Sequence, residues 1–214
     1  DSSEDLEFIL NTDTTTAAPF LEVRSGTDSY GARVGLNNIE RLTINSGSGN
    51  DWIDTGYNYF SDDRINAGAG NDIIFASLGD DIIDGGQGDD RYIYDFGHGI
   101  DTILDSGGDN DTIYLGWQIS FEDLRFNFNE NDLILSFINS PQDQIIIRDY
   151  VNSDDSIETI EVEGKILSIP NVSAISSGVG GDRLVAEYSD SSEDLEFILN
   201  TDTTTAAPFL EVRS

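Results

Sequence analysis

SGSGNDWID (46–54), AGAGNDIIF (67–75), ASLGDDIID (76–84) and GGQGDDRYI (85–93) are four copies of one nine-residue pattern. Every copy has glycine in the fourth place, aspartate in the sixth and a large apolar residue in the eighth. A looser copy, TGYNYFSDDRIN (55–66), carries three extra residues. Because glycine can adopt positive φ and let the backbone approach a ligand, each copy predicts a tight turn followed by a short strand.

The eighth-place residues predict the core of the fold. They are Ile53, Ile65, Ile74, Ile83 and Tyr92. A three-residue strand is too short to be stable alone, so the copies must stack. Two copies make one turn of 18 residues, which is the spacing of Asp63 from Asp81 and of Asp72 from Asp90. Asp51 precedes Asp72 by 21, which is 18 plus the three inserted residues. The pattern predicts an all-β fold: a parallel β-roll with lead-in β coils and a small C-terminal β domain.

The sixth-place aspartates predict a metal centre. Stacking places their carboxylates in two columns, and like charges that close repel each other. Ca²⁺ accepts six to eight oxygen ligands in flexible geometry, whereas Mg²⁺ demands a stricter octahedron. The predicted site residues are Asp51, Asp63, Asp72, Asp81 and Asp90, with Gly47, Gly49, Gly68, Gly70, Gly79, Gly86 and Gly88 in the turns. The alternative is a glycine-rich surface loop with solvated aspartates.

These copies resemble the repeat of the RTX family (repeats-in-toxin, or haemolysin-type calcium-binding repeats), written G-G-x-G-x-D-x-U-x with U a large aliphatic or aromatic residue. The resemblance implies a β-roll that binds several Ca²⁺ ions. It also implies a secreted protein, extracellular or at the cell surface. Such proteins generally leave Gram-negative cells by type I secretion, with an uncleaved C-terminal signal that we expect to lie outside this chain. Affinities in the millimolar range are ordinary for extracellular calcium modules.

The net charge of the chain limits the classes of partner that it can bind. Lys+Arg is 10 and Asp+Glu is 42, so the net charge is −32. Such acidity argues against nucleic acid and anionic membranes as partners and predicts that the compact state depends on cations. Cysteine is absent, which excludes disulfides. No apolar run reaches the length of a membrane span, so we expect no membrane insertion, and we expect no signal peptide.

Residues 1–25 recur without change at 190–214, an offset of 189. We expect the chain to be one period of a tandem array of 189-residue blocks that overlaps itself. The alternative is an engineered duplication of a capping segment. SGVGGDRLV (177–185) is a further full match to the repeat, with Asp182 in the ligand place. Neighbouring copies of the block are therefore the expected partners, through self-assembly.

Irregular coils are predicted on both sides of the repeats. LEFIL, AAPFLEV and VGLNNIERLTIN (34–45) read as lead-in strands. In residues 94–116, Asp101 lies 20 residues after Asp81 and Asp111 lies 21 after Asp90, so both are added to the predicted ligands. His98, the single histidine, has no visible catalytic partner and is interpreted as a turn residue.

Residues 117–169 resemble the companion domain that often follows RTX repeats. ISFEDLRF, NDLILSF, DQIIIRDYV and IETIEVEGK are β-like runs separated by turn signals, and EDL (122–124) is a candidate helical turn. The predicted core of this part is Trp117, Phe121, Phe126, Phe128, Phe137 and Tyr150. A glycan-binding aromatic platform is the alternative.

The predicted organisation has four parts: lead-in coils (1–45), the calcium β-roll (46–116), the companion domain (117–169), and a linker with the start of the next block (170–214). We expect a non-enzymatic structural block of a secreted tandem-repeat protein, such as an adhesin stalk, surface layer or extracellular filament. HExxH, G-x-S-x-G and Asp-Pro sequences are absent. The alternatives are the non-catalytic calcium region of a secreted RTX protease, lipase or toxin, and a ligand-binding module.

Overall fold

A computed structural model of the chain describes residues 6–11, 20–25, 32–35, 41–56, 60–151, 157–169, 196–200 and 209–213. The strands are β1 (Leu6–Asn11), β2 (Phe20–Ser25), β3 (Ala32–Gly35), β4 (Thr43–Gly47), β5 (Trp52–Asp54), β6 (Arg64–Ala69), β7 (Ile73–Phe75), β8 (Ile82–Gln87), β9 (Arg91–Tyr94), β10 (Ile100–Leu104), β11 (Thr112–Leu115), β12 (Leu124–Asn129), β13 (Asp132–Phe137), β14 (Gln144–Ile147), β15 (Thr159–Val162), β16 (Lys165–Ser168), β17 (Glu196–Asn200) and β18 (Phe209–Arg213). A 3-10 turn covers Phe121–Asp123, and the described ranges contain no α-helix.

Consecutive strands of the repeat region alternate between two sheets. One sheet has the order β16-β15-β11-β9-β7-β5-β1-β2-β3, and the other has the order β17-β18-β12-β13-β14-β10-β8-β6-β4. From β4 to β11, every hydrogen-bonded pair within a sheet is parallel. Each coil therefore contributes one strand to each sheet, and the stacked coils form a β-solenoid. This confirms the predicted parallel β-roll.

The core is a pair of apolar columns between the sheets. In one sheet the inward residues in register are Phe8, Ile53, Ile74, Tyr92, Ile113 and Ile160. In the other they are Ile44, Ile65, Ile83, Ile103 and Ile147. All are buried, as the eighth-place prediction requires. Burying such a side chain contributes about 1.5–3 kcal/mol to the free energy of folding. Each added coil therefore stabilises the stack, whereas a lone three-residue strand would leave its side chain exposed.

The strands after β11 extend both sheets. β14 pairs in parallel with β10, and β15 pairs in parallel with β11. β13 runs antiparallel to both β12 and β14, and β16 returns antiparallel to β15. The division into four parts stays a prediction, but the hydrogen-bonded sheets run without interruption through residue 116.

Four of the six aromatic residues predicted to form the core of residues 117–169 are buried. Phe126, Phe128, Phe137 and Tyr150 are buried, and Phe121 is partly buried against the core. Trp117 is 85% exposed, so its placement in the core was wrong. It lies in the turn that follows β11, and Ile119, two residues later, fills the interior instead. The predicted helical turn is the 3-10 turn, which begins one residue earlier.

The duplicated segments form hairpins of identical register. Glu7 pairs with Arg24 in the first copy, and Glu196 pairs with Arg213 in the second. The first hairpin joins the roll through β1, parallel to β5, whereas the second joins through β18, antiparallel to β12. Within the described residues, no helix is long and apolar enough to span a membrane. Asp182 lies outside the described residues.

Candidate metal centre

The sixth-place aspartates lie in two columns, one on each side of the roll. Asp51, Asp72, Asp90 and Asp111 stack on one side, and Asp63, Asp81 and Asp101 stack on the other. All seven side chains are at most 3% exposed. The structure therefore brings together every predicted aspartate ligand within the described residues, including Asp101 and Asp111 from the irregular coils.

A repeated hydrogen bond joins the stacked aspartates of neighbouring coils. The backbone amide of one aspartate donates to Oδ1 of the aspartate above it. Asp72 donates to Asp90 at 2.8 Å, and Asp63 donates to Asp81 at 2.7 Å. The carbonyl oxygens of the same residues accept from the neighbouring strands, as Asp72 does from Arg91 at 2.8 Å. The bonds of this ladder use Oδ1 and the backbone of the aspartates and do not involve Oδ2.

That second oxygen is buried and unsatisfied at several steps. The Oδ2 atoms of Asp81, Asp90 and Asp111 have no hydrogen-bond partner and no contact with solvent. An unpartnered buried carboxylate oxygen is costly, because it has lost its water without gaining a donor. Carboxylate oxygens arranged in this way are the ligands that Ca²⁺ prefers. The residues present therefore fit bound calcium ions.

Burial also shifts the protonation of the columns. Desolvation raises the pKa of Asp81 and of Asp90 to about 8, and that of Asp111 to about 7. Burial likewise raises the pKa of Asp63 and of Asp101, and the neighbouring Asp81 carboxylate adds to the shift at Asp101. In the absence of a cation, a folded column therefore favours protonated carboxyls near neutral pH.

The turn glycines let successive coils approach closely. A Cβ atom on Gly68 would lie closer than 3.0 Å to the carbonyl oxygen of Gly47, and one on Gly86 would meet that of Gly68 in the same way. A Cβ atom on Gly70 would be equally close to the carbonyl oxygen of Gly49. Gly79 and Gly88 have the same relation to the coils below them. The predicted turn glycines thus bring the carbonyl oxygens of one coil against the turn backbone of the next.

The fifth-place residues form a second, exposed ladder that sequence reasoning missed. Here the side chain accepts from the following coil: Asn71 Oδ1 accepts from the Asp89 amide at 3.1 Å, and Asp62 Oδ1 accepts from the Asp80 amide at 3.1 Å. The signal was present, since every copy between residues 46 and 93 has Asn or Asp before its sixth-place aspartate. These bonds tie the turns together in the direction opposite to the bonds of the buried columns.

Glu158 extends one column beyond the aspartates. Its Oε2 accepts from the Asp111 amide at 2.7 Å, as Asp111 itself accepts from Asp90. Asp111 and Glu158 each precede a Thr-Ile pair, and this repeated D/E-T-I sequence could have identified the position. The other column ends differently: Ile145 is in register with Asp101, so no carboxylate follows there.

Three carboxylates converge near the end of this column. Oxygen atoms of Asp90, Asp105 and Asp111 all lie within 4.8 Å of one another. In the part of the chain that the structure describes, this is the one place where three or more such side chains come close enough to hold a single metal ion. Asp105 lies outside the sixth-place pattern and was not among the predicted ligands.

His98 is a buried packing residue. Its ring lies 5.1 Å from the rings of Phe75 and Tyr94, and its Nδ1 accepts from the Asp95 amide at 3.3 Å. Burial lowers the pKa of His98 to about 4, although the carboxylate of Asp143 opposes the shift. A neutral ring held in a turn agrees with the interpretation of this histidine as a turn residue.

Comparison with known proteins identifies the repeats. Residues 43–57 and 59–92 match the family model of the RTX calcium-binding nonapeptide repeat, in four copies. No curated protein matches the chain. The matched residues hold Asp51, Asp63, Asp72, Asp81 and Asp90. Residues 43–92 are therefore RTX calcium-binding nonapeptide repeats, and this part of the chain is a calcium-binding repeat region of the kind found in RTX proteins.

Proposed function

We propose that the chain is a calcium-rigidified structural block of a secreted tandem-repeat protein. The observation that carries the proposal is the set of buried, unpartnered Oδ2 atoms on Asp81, Asp90 and Asp111. A stack whose interior requires cations at successive coils is stable where calcium is abundant and unstable where it is scarce. That dependence suits a chain that crosses the cell envelope unfolded and folds outside.

The aspartate columns work as a switch between these states. Without calcium, the ionised carboxylates of a column repel one another, and each coil of the repeats buries only two or three large apolar side chains. Asp72 and Asp90 on one side of the roll, and Asp63 and Asp81 on the other, would hold calcium between neighbouring coils, and a bound ion would supply the positive charge that offsets their repulsion. Because each coil contacts mainly its neighbours, order spreads along the solenoid coil by coil.

The duplicated hairpins support an array of blocks. The second hairpin covers the edge strand β12 through β18, with Phe126 opposite Leu210 and Asn127 opposite Phe209. In an array, the hairpin of one block would cover this edge in the preceding block, and exposed strand edges invite pairing with other chains. Adhesin stalk, surface layer and extracellular filament are all compatible roles, with neighbouring blocks as partners.

The test is far-UV circular dichroism of the 214-residue chain during a calcium titration, with reversal by EDTA. We expect a cooperative gain of β signal near millimolar calcium that EDTA removes. Addition of Mg²⁺ is the control, and it should produce a much smaller gain because Mg²⁺ retains its water and demands stricter geometry. A fully folded spectrum in EDTA would contradict the proposal.

A second experiment separates a structural block from the calcium region of a secreted enzyme. A chain of two consecutive 189-residue blocks should behave in calcium as one rigid rod by small-angle X-ray scattering. Independent, flexibly linked blocks would favour the accessory-region alternative.

A further inference from the structure

Asp105 occupies a position where the preceding coils have small, uncharged residues. The register of β4, β6, β8 and β10 aligns it with Ser46, Ala67 and Gly85. Those three residues are buried beside the aspartate column, at the entry to each turn. The last coil of the column therefore introduces a third carboxylate where the earlier coils have none.

Two hydrogen bonds hold the Asp105 carboxylate in position. The hydroxyl of Tyr92 donates to its Oδ2 at 2.7 Å, and the amide of Gly107 donates to its Oδ1 at 3.2 Å. Tyr92 replaces the isoleucine found at the inward place of the neighbouring coils, and its buried ring carries the hydroxyl up to Asp105. The position of this carboxylate is thus set by the core.

Gly85 makes room for this arrangement. A Cβ atom there would lie closer than 3.0 Å to both the Tyr92 hydroxyl and Oδ2 of Asp90. The Tyr92 hydroxyl and the unpartnered Asp90 oxygen therefore meet at one backbone position. Gly85 thus leaves the space into which the Tyr92 hydroxyl reaches to bond Asp105.

The remaining oxygen ligands of this site are the carboxylates of Asp90 and Asp111 and a nearby backbone carbonyl. Asp90 and Asp111 are 1% and 0% exposed, and their Oδ2 atoms have no hydrogen-bond partner. A Cβ atom on Gly108 would lie closer than 3.0 Å to both the carbonyl oxygen of Gly88 and Oδ2 of Asp111, so these two oxygen atoms face the same point. With the oxygen atoms of Asp90, Asp105 and Asp111 within 4.8 Å of one another, a single cation can contact all three carboxylates.

We propose that Asp90, Asp105 and Asp111 form a three-carboxylate cation site with a higher calcium affinity than the other sites of the roll. The proposal rests on the proposed calcium-binding function of the columns. Calcium affinity rises with the number of charged ligands and with the rigidity of the site, and Asp105 supplies both an extra charge and a fixed position. This site is the first to fill as calcium rises and the last to empty as it falls.

Calorimetric calcium titration of the 214-residue chain and of Asp105→Asn tests the proposal. Asparagine keeps the size of the side chain and can still accept from Tyr92, but it lacks the charge. The affinity of the tightest site should fall by roughly tenfold, while the weaker sites remain unchanged. The matched control is Asp54→Asn: Asp54 Oδ1 accepts from Gly56 two residues on at 2.8 Å, as Asp105 does from Gly107, but Asp54 belongs to no such group among the described residues. Equal binding curves for the two variants would overturn the proposal and leave the proposed function standing, whereas an unaltered chain that binds no calcium would overturn both.

A second measurement needs no variant. Calcium is withdrawn stepwise from the unaltered chain with a chelator while the NMR amide signals are followed. The signals of residues 105–111 should keep their folded positions to the lowest free calcium. If those of residues 61–81, around the opposite column, persist longer, the proposed ranking of the sites is overturned.

Discussion

The backbone amide of Asp90 donates a hydrogen bond of 2.6 Å to Oδ1 of Asp111, in the following coil. The same relation joins Asp51 to Asp72 and Asp72 to Asp90. Asp72 therefore lies between two other aspartates of its column, whereas Asp51 belongs to the first of the nine-residue copies. These different places in the column predict unequal effects of chemically identical substitutions.

Asp72→Ala should raise the calcium midpoint of folding more than Asp51→Ala. Asp72 should serve two ions and accepts from the Asp51 amide at 2.7 Å, so its loss weakens two steps of the stack. A shift of about tenfold for Asp72→Ala, against a few-fold for Asp51→Ala, is the expected scale. The readout is circular dichroism across a calcium titration. Equal midpoints would exclude a shared column.

Acid should partly replace calcium. In the calcium-free roll, burial raises the pKa of Asp81 and Asp90 to about 8 and that of Asp111 to about 7, above the ordinary value of 3.8. A raised folded-state pKa contributes stability that is fully present below about 3.8 and is lost as pH rises through 7–8. In EDTA, the β signal should therefore be larger at about pH 5 than at about pH 8.

His98 provides the control for this experiment, because its contribution has the opposite sign. Its pKa is lowered from 6.5 to about 4, so the stability it contributes is present above pH 6.5 and is lost as pH falls toward 4. His98→Gln should remove this opposing effect and increase the β signal gained in acid. A β signal in EDTA that does not change with pH would contradict the protonation argument.

Gly86→Ala should destabilise the roll far more than Gly164→Ala. Both glycines have positive φ, +99° and +73°, so both substitutions introduce backbone strain. A Cβ on Gly86 also meets the carbonyl oxygen and carbonyl carbon of Gly68, whereas one on Gly164 meets nothing within 4 Å. We expect the free energy of unfolding to fall by about 1 kcal/mol for Gly164→Ala and by more than about 3 kcal/mol for Gly86→Ala. Thermal unfolding in saturating calcium measures both, and similar losses would show that the coils can separate without cost.

Glu158→Ala should cost more stability than Glu161→Ala, although the two residues lie in the same segment. Glu158 accepts from the Asp111 amide at 2.7 Å and closes the column, so its removal leaves that amide without its acceptor. The expected loss is about 1–3 kcal/mol. Glu161 pairs with Arg91 at 2.9 Å on a partly exposed surface, and such pairs contribute about 0.2–1 kcal/mol. Denaturant unfolding in calcium should rank the variants in this order, and the reverse order would show that the column ends at Asp111.

Much of the roll follows from local periodicity. The interval of 18 residues between Asp63 and Asp81 predicts stacking, and the inward place of Ile65 and Ile83 predicts the core; both are seen in the parallel pairing of β6 with β8. Asp101 and Asp111 could also be placed in their columns, because their spacing differs from the period by only a few residues.

Other features required contacts between distant residues. Glu158 follows Asp111 in the column but lies 47 residues later, beyond the antiparallel strands β12 to β14, where the repeat period no longer applies. Trp117 was assigned to the core from its residue type, but the turn after β11 directs it to solvent. Periodicity cannot determine the direction of a side chain in an irregular turn.

The repeat pattern was enough to predict the period, the inward apolar residues, the aspartate columns and calcium as the ion they bind, because each follows from residues that recur in neighbouring coils. The folded chain was needed to show which buried oxygen atoms lack a donor, how Asp105 and Glu158 join the column, and which strand each duplicated hairpin pairs with. A repeat defines the contacts of a residue only with equivalent residues one coil away. Hydrogen bonds between non-equivalent residues, such as that between Tyr92 and Asp105, depend on the packing of the whole fold.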